Sequence, residues 1–116
     1  MSYTTQSDLI DRFGADLITD LTDRSTPAAG QINGDVVTQA LADTDALIDG
    51  YLGARYTLPL EAVPPLVSAL AGQIAIYILH PYQPNDKIST DYRDALRQLE
   101  QIARGVIRLP HVTTPP

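Results

Sequence analysis

Apolar residues recur along most of this chain at three- and four-residue steps, the period of an amphipathic α-helix. The first element opens at Thr5, whose hydroxyl is placed to accept from a free first-turn amide, with Asp8 three residues on. Leu9, Ile10 and Phe13 then share one face, and Gly14 is a natural stop. A second short helix follows from Asp16 to Thr22, burying Leu17, Ile18 and Leu21 and exposing Asp16 and Asp20. Pro27, Gly30 and Gly34 make residues 24–34 a long loop.

Asn33 or Asp35 caps a longer helix reaching Leu52. Val36, Val37, Ala40, Leu41, Leu47, Ile48, Tyr51 and Leu52 recur along it at helical steps, with Gln39, Asp43, Asp45 and Asp49 on other faces. Pro59 and the Pro64–Pro65 pair make the stretch from Gly53 to Val63 an extended connection. Pro65 then suits the first position of a helix over about 65–79. That helix is apolar nearly all round, so it belongs in the middle of the fold, with Gln73 as its one partly buried polar side chain. Residues 82–88 read as a polar loop, and Ser89 or Thr90 as the cap of a last helix. Its stripe is Tyr92, Ala95, Leu96, Leu99, Ile102 and Ala103, and Gly105 closes it. Residues 106–109 read as a short extended piece and 110–116 as a flexible C-terminal arm.

The fold class is therefore all-α: a small bundle of about four to five helices around a central apolar helix, with a single domain over 1–109. A chain of 116 residues suits one core. With six Tyr, one Phe and no Trp, that core must be built mainly of Leu, Ile, Val and Ala. The absence of Cys excludes disulfides and thiolate metal sites. The stretch MSYTTQSD lacks the basic region and apolar run of a secretory signal. The longest apolar-rich run, Leu66 to Leu79, is 14 residues, short of the roughly 20 a membrane span requires.

Charge changes the picture further. The net charge of −6 disfavours free-standing affinity for nucleic acid, which phosphate neutralisation by Lys and Arg dominates. Residues 1–50 hold nine acids and two bases, a balance of −7, whereas the remainder holds five acids and six bases, a balance of +1. The front is acidic, the back locally basic.

No constellation for catalysis emerges. There is no phosphate-cradling glycine loop, no HExxH, and none of Ser2, Ser25, Ser68 and Ser89 sits in a nucleophile elbow. A non-enzymatic chain without cofactor or metal is expected. Asp43, Asp45 and Asp49 do not make a cation loop, because Asp43 points about 200° from Asp45 on a helix. They read as a solvated acidic face open to intermolecular use. Arg93, Arg97 and Arg104 form the one basic stripe, diluted by Asp94 and Glu100. It suits solvent or a protein better than nucleic acid. In the segment DGYLGARYTLPL (49–60), Arg55 and Tyr56 either pin the connection to a helix end or anchor a subunit interface.

The blocks SDLIDRFG (7–14), LTDR (21–24), ALADTDALIDGYLGARYTLPL (40–60), VPPLV (63–67) and YRDALRQLEQIARGVIRL (92–109) appear in order across nearly the whole chain. In them the chain resembles the small Mu-like phage and prophage proteins encoded among head and tail morphogenesis genes. Thr57 is one departure, since related sequences often carry Pro there. The resemblance implies an all-helical fold similar to head–tail connector, or adaptor, proteins. These oligomerise as rings between portal and tail, through which DNA passes. It implies no catalytic residue. The partners expected are further copies of the chain and the portal and tail-completion proteins, with no sequence-specific nucleic acid and no membrane. The expected location is the head–tail junction of the virion, reached through the host cytoplasm during assembly. The competing expectation is a small protein-binding or regulatory module encoded by a phage or prophage.

Ring contacts join two different faces of one subunit. The acidic front and basic last helix offer such a pair, with Asp43, Asp45 or Asp49 of one copy approaching Arg93, Arg97 or Arg104 of the next. The loop at 24–34 and the arm at 110–116 are expected to become ordered only on docking to a portal or tail partner.

Overall fold

A computed structural model describes residues 2–109. Five helices follow in order: α1 (Gln6–Phe13), α2 (Ala15–Thr22), α3 (Gly34–Leu52), α4 (Pro65–Leu79) and α5 (Asp86–Ala103). No strand occurs among the described residues. The all-α class is thus observed, with five helices. Residues 110–116, read from sequence as an arm, lie outside the described region.

Local chemistry sets most of the helix ends. Thr5 Oγ1 accepts from the Asp8 amide at 3.1 Å, and Asn33 Oδ1 accepts from Asp35 and Val36 at 3.0 and 3.4 Å. Each satisfies amides that a first helical turn leaves without a carbonyl. Gly14 ends α1 and caps α2 at once, which its φ of 91° permits without the clash a Cβ would bring.

The start of α5 differs from expectation. The cap is Asn85, whose Oδ1 accepts from Ile88 at 2.9 Å, and the helix begins at Asp86. Ser89 is instead a buried residue of its second turn. The first turn, Asp86 and Lys87, is polar and exposed, so the apolar stripe starts later than the helix does.

The core has two lobes that share α4. In one, Ile48 and Leu52 of α3 meet Leu70 and Ile74 of α4 and Leu99 and Ile102 of α5. In the other, Leu9 of α1, Ile18 of α2 and Val37 of α3 close on Ala75, Ile76 and Leu79 of α4. The central position expected for the apolar helix is observed. Gln73 is half-buried on it. Leu17 and Leu21, expected to be buried, are only partly so. The rings of Tyr77 and Tyr92 stack at 3.8 Å and 8°, joining α4 to α5. Gly72 lets α1 lie close: a Cβ there would stand 3.1 Å from Arg12 Cδ. No helix of the described residues is long and apolar enough to cross a membrane.

The loop between α2 and α3 is organised from within the chain. The Asp23 carboxylate accepts from the amides of Ser25, Ala29 and Gly30 at 3.4, 3.2 and 2.6 Å. Thr22 Oγ1 accepts from Asn33 at 3.0 Å at the loop's far end. The amides of Gly30 and Ala29, ahead of that of Ser25, hold the Asp23 carboxyl below the ordinary carboxylate range. One acid thus gathers the loop from within the chain.

Candidate functional site

The residues singled out in the sequence fall into three places. Asp45 and Asp49 are not a free acidic face. Asp45 accepts from the hydroxyl of Ser2 and the amide of Tyr3, both at 3.0 Å. Asp49 accepts from the Tyr3 hydroxyl. Together they strap the N-terminal segment along α3. Burial, then the hydrogen bond to Asp49, then the negative charges of Asp49 and Asp45 push the Tyr3 phenol above the ordinary tyrosine value. Asp43 is exposed, as Asp49 is, but accepts only from Gln39 on its own helix, at 3.0 Å.

The basic stripe on α5 is exposed. Arg97 lies 3.3 Å from Asp94 and Arg104 3.9 Å from Glu100. Surface pairs of this kind contribute at most about 1 kcal/mol, so both arginines can exchange partners at little cost. Arg93 forms no ion pair among the described residues. Nothing within one chain joins these arginines to the acids of α3.

Arg55 and Tyr56 serve the fold. Tyr56 is 3% exposed, and its hydroxyl accepts from the Leu109 amide at 3.2 Å, tying the chain beyond α5 to the turn beyond α3. The Arg55 guanidinium lies against Gly105, just past the end of α5. For Tyr56 the geometry fits pinning, whereas Arg55 is half-buried and packs at the end of α5. Tyr56 in particular has no surface to offer a partner.

A feature that sequence reasoning passed over lies between α3 and the end of α4. It is an open groove of about 390 Å³ with Val36, Ala40, Ile78 and Leu79 along its floor. Asp35, Gln39 and Asp43 rise along the α3 side, and Arg24 closes the opposite corner. Arg24 is engaged there, its Nη2 donating to the Leu79 carbonyl at 3.4 Å. Two carboxylates against one guanidinium leave the rim net negative. The signal for it was present in Asp35-Val36 and Gln39-Ala40, where an apolar residue follows a polar one on the edge of the helical stripe.

Among the described residues two large apolar side chains are strongly exposed: Tyr82 at 85% and Val106 at 68%. No group of three or more His, Asp or Glu among those residues is arranged to hold a metal ion.

Comparison with known proteins decides the lineage. The family described as "Bacteriophage Mu, Gp36" matches residues 3–116. The chain belongs to this family. It is 42% identical over 105 residues to "Gene product J" of Escherichia phage Mu, covering 90% of this chain and 74% of that protein. It is 35% identical over 107 residues to "Mu-like prophage FluMu protein gp36" of Haemophilus influenzae, covering 92% of this chain and 74% of that protein. This member of the Mu Gp36 family is accordingly a Mu-like phage protein.

Proposed function

We propose that this protein is a head–tail connector that works without catalysis, assembling as a ring of copies between portal and tail in the virion. The observation that carries the reading is the polarity of the molecule. Its extents are 54 × 27 × 20 Å, and its surface features differ along α3. An acidic groove lies at the N-terminal half of α3, and an arginine-rich segment with an exposed Val106 lies beyond α5, beside the turn that follows α3. Two unlike faces on one subunit are what a heterologous, head-to-tail contact uses, and such contacts close into rings when the rotation per step allows. Membership of a Mu phage family supports the setting.

Mass spectrometry of purified particles of the encoding phage tests this. The chain is expected as a virion component in fixed proportion to the portal. Its absence from particles that carry portal and tail would end the connector reading and favour a regulatory role in the infected cell.

A further inference from the structure

We propose that Val106, carried between Arg104 and Arg108, docks in the α3–α4 groove of a second copy of this chain. The inference rests on the self-assembly reading above and names its contact.

Three observations converge. Val106 follows the glycine that terminates α5: the Gly105 amide donates to Ile102 at 3.1 Å and the Val106 amide to Gln101 at 2.9 Å. This Schellman-type closure fixes the backbone and leaves the valine projecting, 68% exposed. A large apolar side chain held outward on a rigid cap is a knob without a hole. The groove is the complementary feature, with an apolar floor of Val36, Ala40, Ile78 and Leu79.

Charge then selects between candidate knobs. Val106 has Arg104 and Arg108 on either side, both exposed, and the groove rim sets Asp35 and Asp43 against Arg24 alone at its opposite corner. Tyr82, the other exposed apolar side chain, has Pro81, Gln83 and Pro84 around it and Asp86 beyond, and brings no such positive pair. Opposite charge at the margin of an apolar contact steers register and excludes wrong partners.

Distance makes the contact intermolecular. Gly105 abuts Arg55, just past the C-terminal end of α3, whereas the groove spans Asp35 to Asp43 near its other end. From Gln39 to Leu52 the helix rises roughly 20 Å at 1.5 Å per residue. A subunit therefore cannot place its own Val106 in its own groove. The contact joins different faces of two copies and propagates in one direction.

The chain has no Cys, so single cysteines report cleanly. Chains carrying Val106→Cys are mixed with chains carrying Gln39→Cys and oxidised mildly, both as purified protein and in assembled particles. The mixed disulfide is expected to capture most of both chains. A control pair of Val106→Cys with Thr90→Cys, exposed on α5 outside the groove, should stay at the level of random collision. Arg108→Glu should abolish the mixed disulfide, and Asp43→Arg in the other chain should restore it. A mixed disulfide no stronger than the control, in solution and in particles alike, overturns the proposal. Particles that contain the chain but give no link would leave the connector role standing and remove this contact. A link formed by a chain absent from particles would do the reverse.

Discussion

The Arg55 guanidinium occupies the space that any side chain at position 105 would need: a Cβ on Gly105 would lie 2.6 Å from its Cζ. Residue 105 also has φ of 78°, a left-handed conformation that costs other residues about 1–2 kcal/mol. Gly105→Ala is thus expected to carry that conformational cost plus whatever is lost when the guanidinium, the far end of a flexible side chain, swings off the end of α5. In an Arg55→Ala background the same substitution should cost only the conformational part. Denaturant unfolding of the four proteins, read as a double-mutant cycle, measures the difference. Equal costs in both backgrounds would show that the contact carries no energy.

Tyr56→Phe removes the acceptor of the buried Leu109 amide. An amide left without a partner costs roughly 1–3 kcal/mol. Leu109 is 5% exposed and belongs to the same core lobe as Tyr56, so the loss should be felt at the end of the described chain. Hydrogen exchange at the Leu109 amide is expected to accelerate far more than exchange in α4. An unchanged Leu109 amide would contradict the assignment.

Tyr3 gives a pH-dependent signature. Its phenol is pushed up, so the folded state retains a proton that the unfolded chain has lost once pH rises past about 10, the ordinary tyrosine value. Stability contributed by this group is complete below that value and declines above it. Tyrosinate absorbance should show a late-titrating tyrosine that disappears in Tyr3→Phe. Asp49→Asn, which removes a charge and the ionised acceptor, should bring the transition back towards the ordinary value.

Asp23 works in the opposite sense. Its lowered carboxyl stays ionised in the folded loop at pH values where an ordinary Asp takes up a proton. Its contribution is complete above the ordinary carboxylate value and is lost as pH falls from there through the lowered one. Limited proteolysis should therefore cut within 24–33 readily in acid and slowly at neutral pH. Asp23→Ala should be cut readily at both.

Much of this architecture was written locally in the chain. Thr5 and Gly14 act within one helical turn, so their residue types sufficed to place both ends of α1, whereas at α3 the sequence left Asn33 and Asp35 open and the structure selects Asn33. The all-round apolar character of residues 65–79 likewise placed α4 at the centre, between the two lobes. Asn85 is equally local, yet the polar first turn of α5 hid it behind Ser89 and Thr90.

What escaped reading is non-local. Asp45 and Asp49 have the pattern of a solvated face, and only folding brings Ser2 and Tyr3 onto them from more than forty residues away. The embrace of Arg55 and Gly105 spans fifty residues and leaves no periodicity in the sequence. The groove is of the same kind, since its two walls come from α3 and α4. For the candidate contact surfaces, the consequence is specific: of Asp43, Asp45 and Asp49, only Asp43 is not bonded to the N-terminal segment, and it joins Asp35 on the groove rim.

The proposed connector role requires copies of this chain to sit together at one place in the particle, the junction of head and tail. Gold labelling of an epitope-tagged chain in intact particles, viewed by electron microscopy, tests it directly. A cluster of label at the neck of each particle is the expected result. Label spread over the capsid, confined to the tail tip, or absent from intact particles would contradict it.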